Sequence, residues 1–107
     1  MTIRILLVED QKLMRIGIKS LFNDYPDLEI IAEAENAKEA IEKTKLLKPD
    51  IVLMDIGLPD MSGVEATKKI TELNIPNVKV VMLTAHVSED EIFNSLSAGA
   101  FGYILKD

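Results

Sequence analysis

Polar side chains able to do chemistry stand where apolar runs of strand length end: Glu9 and Asp10 after ILLV, Asp55 after IVLM, Thr84 after VVML and Lys106 after YIL. If they meet, three carboxylates, a hydroxyl and an ammonium form a set suited to phosphoryl chemistry. Two carboxylates about 5 Å apart repel by roughly 3 kcal/mol at an effective dielectric near 20, so three together require a cation or a proton. Oxygen donors without histidine or cysteine select a hard ion, and two or three carboxylates plus water suit Mg2+. Asp55 can then act as a nucleophile toward phosphorus, giving an acyl phosphate. The metal would bridge its carboxylate and the incoming oxygens, Lys106 would neutralise a further oxygen, and the Thr84 hydroxyl would hydrogen-bond a third. With one divalent ion and Lys106, such a pocket is neutral before a dianion arrives.

Taken one at a time, these residues have ordinary structural explanations. A Glu-Asp pair after a strand caps a helix, DIGLPDMSG is a turn before a helix, Thr84 suits a strand and a lysine near a terminus is solvated. Placement at one edge of a sheet is what gives them joint meaning, and the elements supply it. Strand segments Ile3 to Val8, Leu28 to Ala34, Ile51 to Met54, Lys79 to Leu83 and Gly102 to Leu105 alternate with segments of helical period. Those helices are marked by Met14, Ile18, Leu21 and Phe22; by Ala37, Ala40, Ile41, Thr44 and Leu47; by Ala66, Ile70 and Leu73; and by Ile92, Phe93, Leu96 and Ala100. The pairs Asn36 and Glu39, Ser62 and Glu65, and Ser88 and Glu91 read as capping boxes. Nearly continuous Val, Ile and Leu suit strands covered on both faces, so the order βαβαβαβαβ predicts a doubly wound α/β sheet. Ligands bind such sheets at the carboxyl ends of strands beside the point where strand order reverses. In the flavodoxin-like order 2-1-3-4-5, strands 1 and 3 are neighbours and the three carboxylates converge.

With 107 residues, 48% of them hydrophobic, the chain is one domain, and its net charge of −6 argues against nucleic acid as the partner of this chain alone. The absence of cysteine excludes thiolate chemistry and zinc ribbons, and the one histidine, His86, reads as a loop residue. Met14, Met54 and Met82 read as core filling. There is no GxxxxGK[ST] or GxGxxG run, and an EF-hand starting at Asp55 would need acids or amides where Gly57 and Pro59 stand. No apolar run approaches the roughly 20 residues that span a bilayer, and MTIRILLVED has neither a basic leader nor a cleavage site, so the chain reads as cytoplasmic. The pattern stops where a fifth helix is expected. Five strands make a sheet about 20 Å wide and one helix covers only about 10 Å, so the chain reads as a fragment, or as one whose bare face near strand 5 is covered by a second copy or a partner chain.

The runs LLVED at 6–10, VLMDIGLPDMSGVE at 52–65, VVMLTA at 80–85 and AGAFGYILKD at 98–107 resemble, in this order and spacing, the receiver domain of bacterial two-component response regulators. The resemblance covers essentially residues 1–107, and the first and last runs resemble the NarL/FixJ subgroup, whose members continue into a LuxR-type helix-turn-helix. It implies that Asp55 is phosphorylated by a histidine kinase, that Glu9, Asp10, Asp55 and the backbone carbonyl of Gly57 hold Mg2+, and that Thr84 and Lys106 bind the phosphoryl group. Tyr103, which packing alone would explain, becomes the switch aromatic. The resemblance further implies that it would turn inward as Thr84 moves toward the phosphoryl group, remodelling the surface of the fourth helix and fifth strand. DNA would be reached only through an effector domain outside this chain. The chain departs from the family in lacking the fifth helix and in placing Asp107 after Lys106, where many receivers have proline. The reading is a switch rather than a turnover enzyme. An aspartyl-nucleophile Mg2+ phosphohydrolase would want a second acid where Gly57 stands. A pseudo-receiver that acts without phosphorylation is disfavoured by the complete set of acids, threonine and lysine.

Overall fold

A computed structural model describes residues 2–84 and 89–105 of the chain. The elements follow the expected alternation: β1 (Ile3–Val8), α1 (Lys12–Phe22), β2 (Leu28–Ala34), α2 (Ala37–Leu47), β3 (Ile51–Asp55), α3 (Gly63–Glu72), β4 (Lys79–Thr84), α4 (Glu89–Ser97) and β5 (Gly102–Leu105). The strands form one sheet in the order β2-β1-β3-β4-β5, with every neighbouring pair parallel. This is the flavodoxin-like arrangement. β3 and β4 each run one residue past their apolar stretch, because Asp55 pairs with Leu83 and Thr84 with Leu105 in the parallel ladders. Asp55, expected just after its strand, is therefore the last residue of β3, and Thr84 ends β4 as expected.

Side chains alternate between two apolar layers. Ile5, Leu7, Leu53 and Leu83 pack with Ile18 of α1 on one face, while Leu6, Val8, Val52, Met54, Val80 and Met82 meet Ala37, Ala40, Ala66 and Ile70 of α2 and α3 on the other. Alanines at the second contact let the helices lie close to the sheet. Met54 and Met82 are fully buried as core filling, and Met14 is partly buried against the α1 layer. Asn36 Oδ1 accepts from Glu39 N at 2.8 Å and Ser62 Oγ from Glu65 N at 3.1 Å, so two of the expected caps are formed. The third, at Ser88, lies outside the described residues, as does His86.

Three helix expectations are corrected. Ala100 is not in α4: Gly99, at φ 110°, ends the helix with Gly99 N bonded to Leu96 O and Ala100 N to Ser95 O, the double bond of a Schellman turn, and Ala100 is buried just beyond it. Leu73 is likewise the residue after α3. Leu21, Phe93 and Leu96 are exposed rather than inward. Leu21 lies at the edge of the buried stripe in the last turn of α1, and α4 turns Ser95 toward the protein instead of Leu96. On the flank of β5, Ile104 shares the face of its register partner Leu83 and is 49% exposed. Among the described residues, no helix is long and apolar enough to cross a membrane.

Candidate functional site

β1 and β3 lie side by side with Val8 opposite Met54, so the next residue of each, Glu9 and Asp55, leaves the sheet at the same level. Glu9 is 0% exposed and Asp55 6%, while Asp10 reaches solvent. One carboxylate oxygen from each of Glu9, Asp10 and Asp55 lies within 4.8 Å of the others. Such proximity is costly without a counter-charge, and the donors are all oxygen, so the pocket fits a hard divalent ion. Glu9 does not cap α1. Its Oε2 accepts from Gln11 N at 3.1 Å within the turn, and the N-cap residue of α1 is Gln11, which makes no side-chain cap.

β4 borders β3 on its other side, which puts Thr84, 7% exposed, one step past the partner of Asp55. The threonine hydroxyl and the carboxylates therefore stand at the same edge. Lys106 lies outside the described residues. Tyr103 is on β5 opposite Met82 and partly exposed. Gly57 sits in the turn after β3, donating its N–H to Asp55 Oδ1 at 3.4 Å and forming an antiparallel bridge with Ser62. Gly63 N donates to Ile56 O at 2.7 Å, which closes the turn directly onto α3.

Two positioning side chains escaped the sequence reading. Arg15, 8% exposed, donates Nη1 to the Glu9 carbonyl at 2.7 Å, Nε to Glu33 at 3.1 Å and Nη2 to Glu35 at 3.2 Å. Its position three residues before Ile18 and seven before Phe22, on the inward stripe of α1, is the signal that could have found it. Asp60, in the turn that follows Asp55, accepts from Ala37 N at 2.8 Å and Lys38 N at 3.0 Å, so it adds a second cap to α2 from a distant loop. Those N–H groups, Ala37's foremost, hold its carboxyl below the usual 3.8. The Lys19 hydrogen bond does the same for Glu33, and the Lys43 hydrogen bond for Glu39.

A depressed carboxylate stabilises the fold above its unfolded pKa, and that stability is lost as pH falls through the folded value. Asp60→Ala removes this cap and, after allowance for solvent screening of an exposed carboxylate, lowers stability by about 0.5 kcal/mol at pH 7, or about 3 °C in Tm. The gap between variant and parent closes on acidification below about pH 3.8. Thermal unfolding followed by circular dichroism across pH 2–7 measures it, and a constant gap would mean that the carboxylate is not the group responsible.

Residues 5–107 match the family model described as the response regulator receiver domain. The chain belongs to this family. It is 43% identical over 106 residues to the response regulator protein VraR of Staphylococcus saprophyticus, covering 99% of this chain and 50% of that protein. The crystal structure of a LuxR-family two-component response regulator from Aurantimonas superposes with a TM-score of 0.93 at 34% identity, covering 100% of this chain and 76% of that one. The CheX–CheY–BeF3–Mg2+ complex of Borrelia burgdorferi superposes with a TM-score of 0.87 at 29% identity, covering 98% of this receiver domain and 78% of that chain. This receiver domain is thus of the LuxR/NarL type and spans about half the length of the curated relatives it matches.

Proposed function

We propose that Asp55 is the phosphoacceptor of this receiver domain and that Glu9, Asp10, Asp55 and the Gly57 carbonyl hold Mg2+. The observation that carries this reading is the meeting of three carboxylates from two adjacent strands, with Asp55 buried among them. An Asp55 oxygen attacks the phosphorus of a phosphohistidine on a sensor histidine kinase; the O–P bond forms, the P–N bond breaks and the imidazole leaves. Mg2+, when bound, would neutralise charge on the Asp55 carboxylate and on the phosphoryl oxygens as the group passes from nitrogen to oxygen. The Thr84 hydroxyl donates to one phosphoryl oxygen, and Lys106 balances another.

A new dianion at this edge biases the β4–β5 side of the domain, where Thr84 and Tyr103 are the movable groups, and the output is a changed protein contact rather than turnover. The domain works in the cytoplasm, and DNA is reached only through an effector domain of a longer parent protein. The exposed flank at Ile104 is covered there by further chain, a second copy or a partner.

Calorimetric titration with beryllofluoride tests the reading, since a beryllium trifluoride group on an aspartate oxygen imitates the acyl phosphate. Binding at a one-to-one ratio is expected with Mg2+ present and is lost on adding EDTA. Titration heat that ignores Mg2+, or none at all, would refute the assignment.

A further inference from the structure

We infer that Arg15 is a positioning residue for the metal pocket: its hydrogen bond to the Glu9 carbonyl fixes the turn that carries Glu9 and Asp10, and so sets the affinity for the divalent ion. The inference rests on the reading above that these carboxylates hold Mg2+. Arg15 is a buried cation whose fork reaches three groups on two chain segments at once, with the turn after β1 at 2.7 Å, and Glu33 and Glu35 at the end of β2 at 3.1 Å and 3.2 Å. The turn is tied to β2 a second time by Glu9 N, which donates to Ala34 O at 3.0 Å. Glu9 is therefore held at its backbone from both sides, while its side chain accepts from Gln11 N.

Charge alone does not explain the arrangement. A buried guanidinium behind a cation site repels the cation, yet here Arg15 and Lys19 face Glu33 and Glu35, and the formal charges of the four cancel. What remains is geometry. A rigid planar fork can hold one carbonyl and two carboxylates in fixed directions, whereas an ammonium in its place could reach them only as a point charge.

The two explanations predict opposite signs. If Arg15 acted only by its charge, Arg15→Gln would tighten Mg2+ binding; as a positioning residue, its loss weakens binding. Mg2+ titration of the 107-residue chain by calorimetry, paired with thermal unfolding in EDTA, separates them. Arg15→Gln is expected to raise the Mg2+ Kd about tenfold, within the range for groups that orient metal ligands from behind. Arg15→Lys keeps the charge, loses the fork and folds the more readily; it is expected to raise the Kd about fivefold.

The control is Arg4→Gln. Arg4 binds the Leu47 and Lys48 carbonyls at 2.9 Å, far from the turn, so its loss lowers Tm and leaves the Kd within about twofold. Unchanged or tighter binding in Arg15→Lys overturns the inference while leaving the Mg2+ site standing. A parent chain that binds no Mg2+ overturns both.

Discussion

Asp55→Asn reduces covalent labelling by acetyl phosphate, or by a phosphorylated histidine kinase, to background, while the folded domain survives. The amide oxygen is a far poorer nucleophile than a carboxylate oxygen, and a phosphorylated amide is not a stable product. Stability moves in the opposite direction to function. Asp55 is 6% exposed and shares its pocket with Glu9 and Asp10, so removing its charge relieves repulsion. In EDTA the variant gains about 1 kcal/mol after allowance for screening near the surface, or about 5 °C in Tm. It also loses most of the stabilisation that Mg2+ confers on the parent. Labelling assays and thermal unfolding with and without Mg2+ read both effects. Retained labelling would move the phosphoacceptor elsewhere, and a lower Tm in EDTA would mean that Asp55 is held by interactions stronger than the repulsion.

The convergence of Glu9, Asp10 and Asp55 was legible because parallel topology leaves little freedom. Once β1 and β3 are neighbours with Val8 opposite Met54, the residues that follow them must share an edge. Apolar runs locate the strands, and topology does the rest. Arg15 and Asp60 were not legible in the same way, since the contacts that tie them to the site and to α2 are with backbone groups of other segments, the Glu9 carbonyl and the Ala37 and Lys38 N–H groups, which carry no side-chain signature; the Glu33 and Glu35 side chains that also hold Arg15 are 18 and 20 residues away in sequence. The end of α4 was misread for a different reason. Ile92, Phe93, Leu96 and Ala100 satisfy a helical period, but periodicity counts spacing and ignores that Gly99, at φ 110°, has already turned the chain. Ala100 is buried because the turn delivers it to the core, not because the helix continues.

Gly63 stands where the start of α3 presses on the end of β3 that carries Asp55. It begins α3 directly after the Ser62 cap, and its N–H closes the turn on Ile56 O at 2.7 Å. A Cβ added there would overlap the Asp55 carbonyl oxygen and stand 2.8 Å from Ile56 Cα and 2.9 Å from the Asp55 carbonyl carbon. All three are backbone atoms, so no side chain can swing aside. Either α3 retreats from the sheet or the end of β3 moves, and the second displaces the phosphoacceptor itself. Gly63→Ala is expected to cost about 3 kcal/mol, at the upper end of overpacking, and to lower Tm by about 15 °C. At a temperature where the variant is still folded, labelling of Asp55 slows at least tenfold, the scale set by an ångström of misplacement. Gly57→Ala is the matched control, because a Cβ there meets nothing within 4 Å, and the Gly57 carbonyl is retained. It should stay within about 1 kcal/mol of the parent and label at a comparable rate. Equal damage from the two substitutions would mean that the loss comes from stiffening the loop, and that contact between the start of α3 and the end of β3 does not place Asp55.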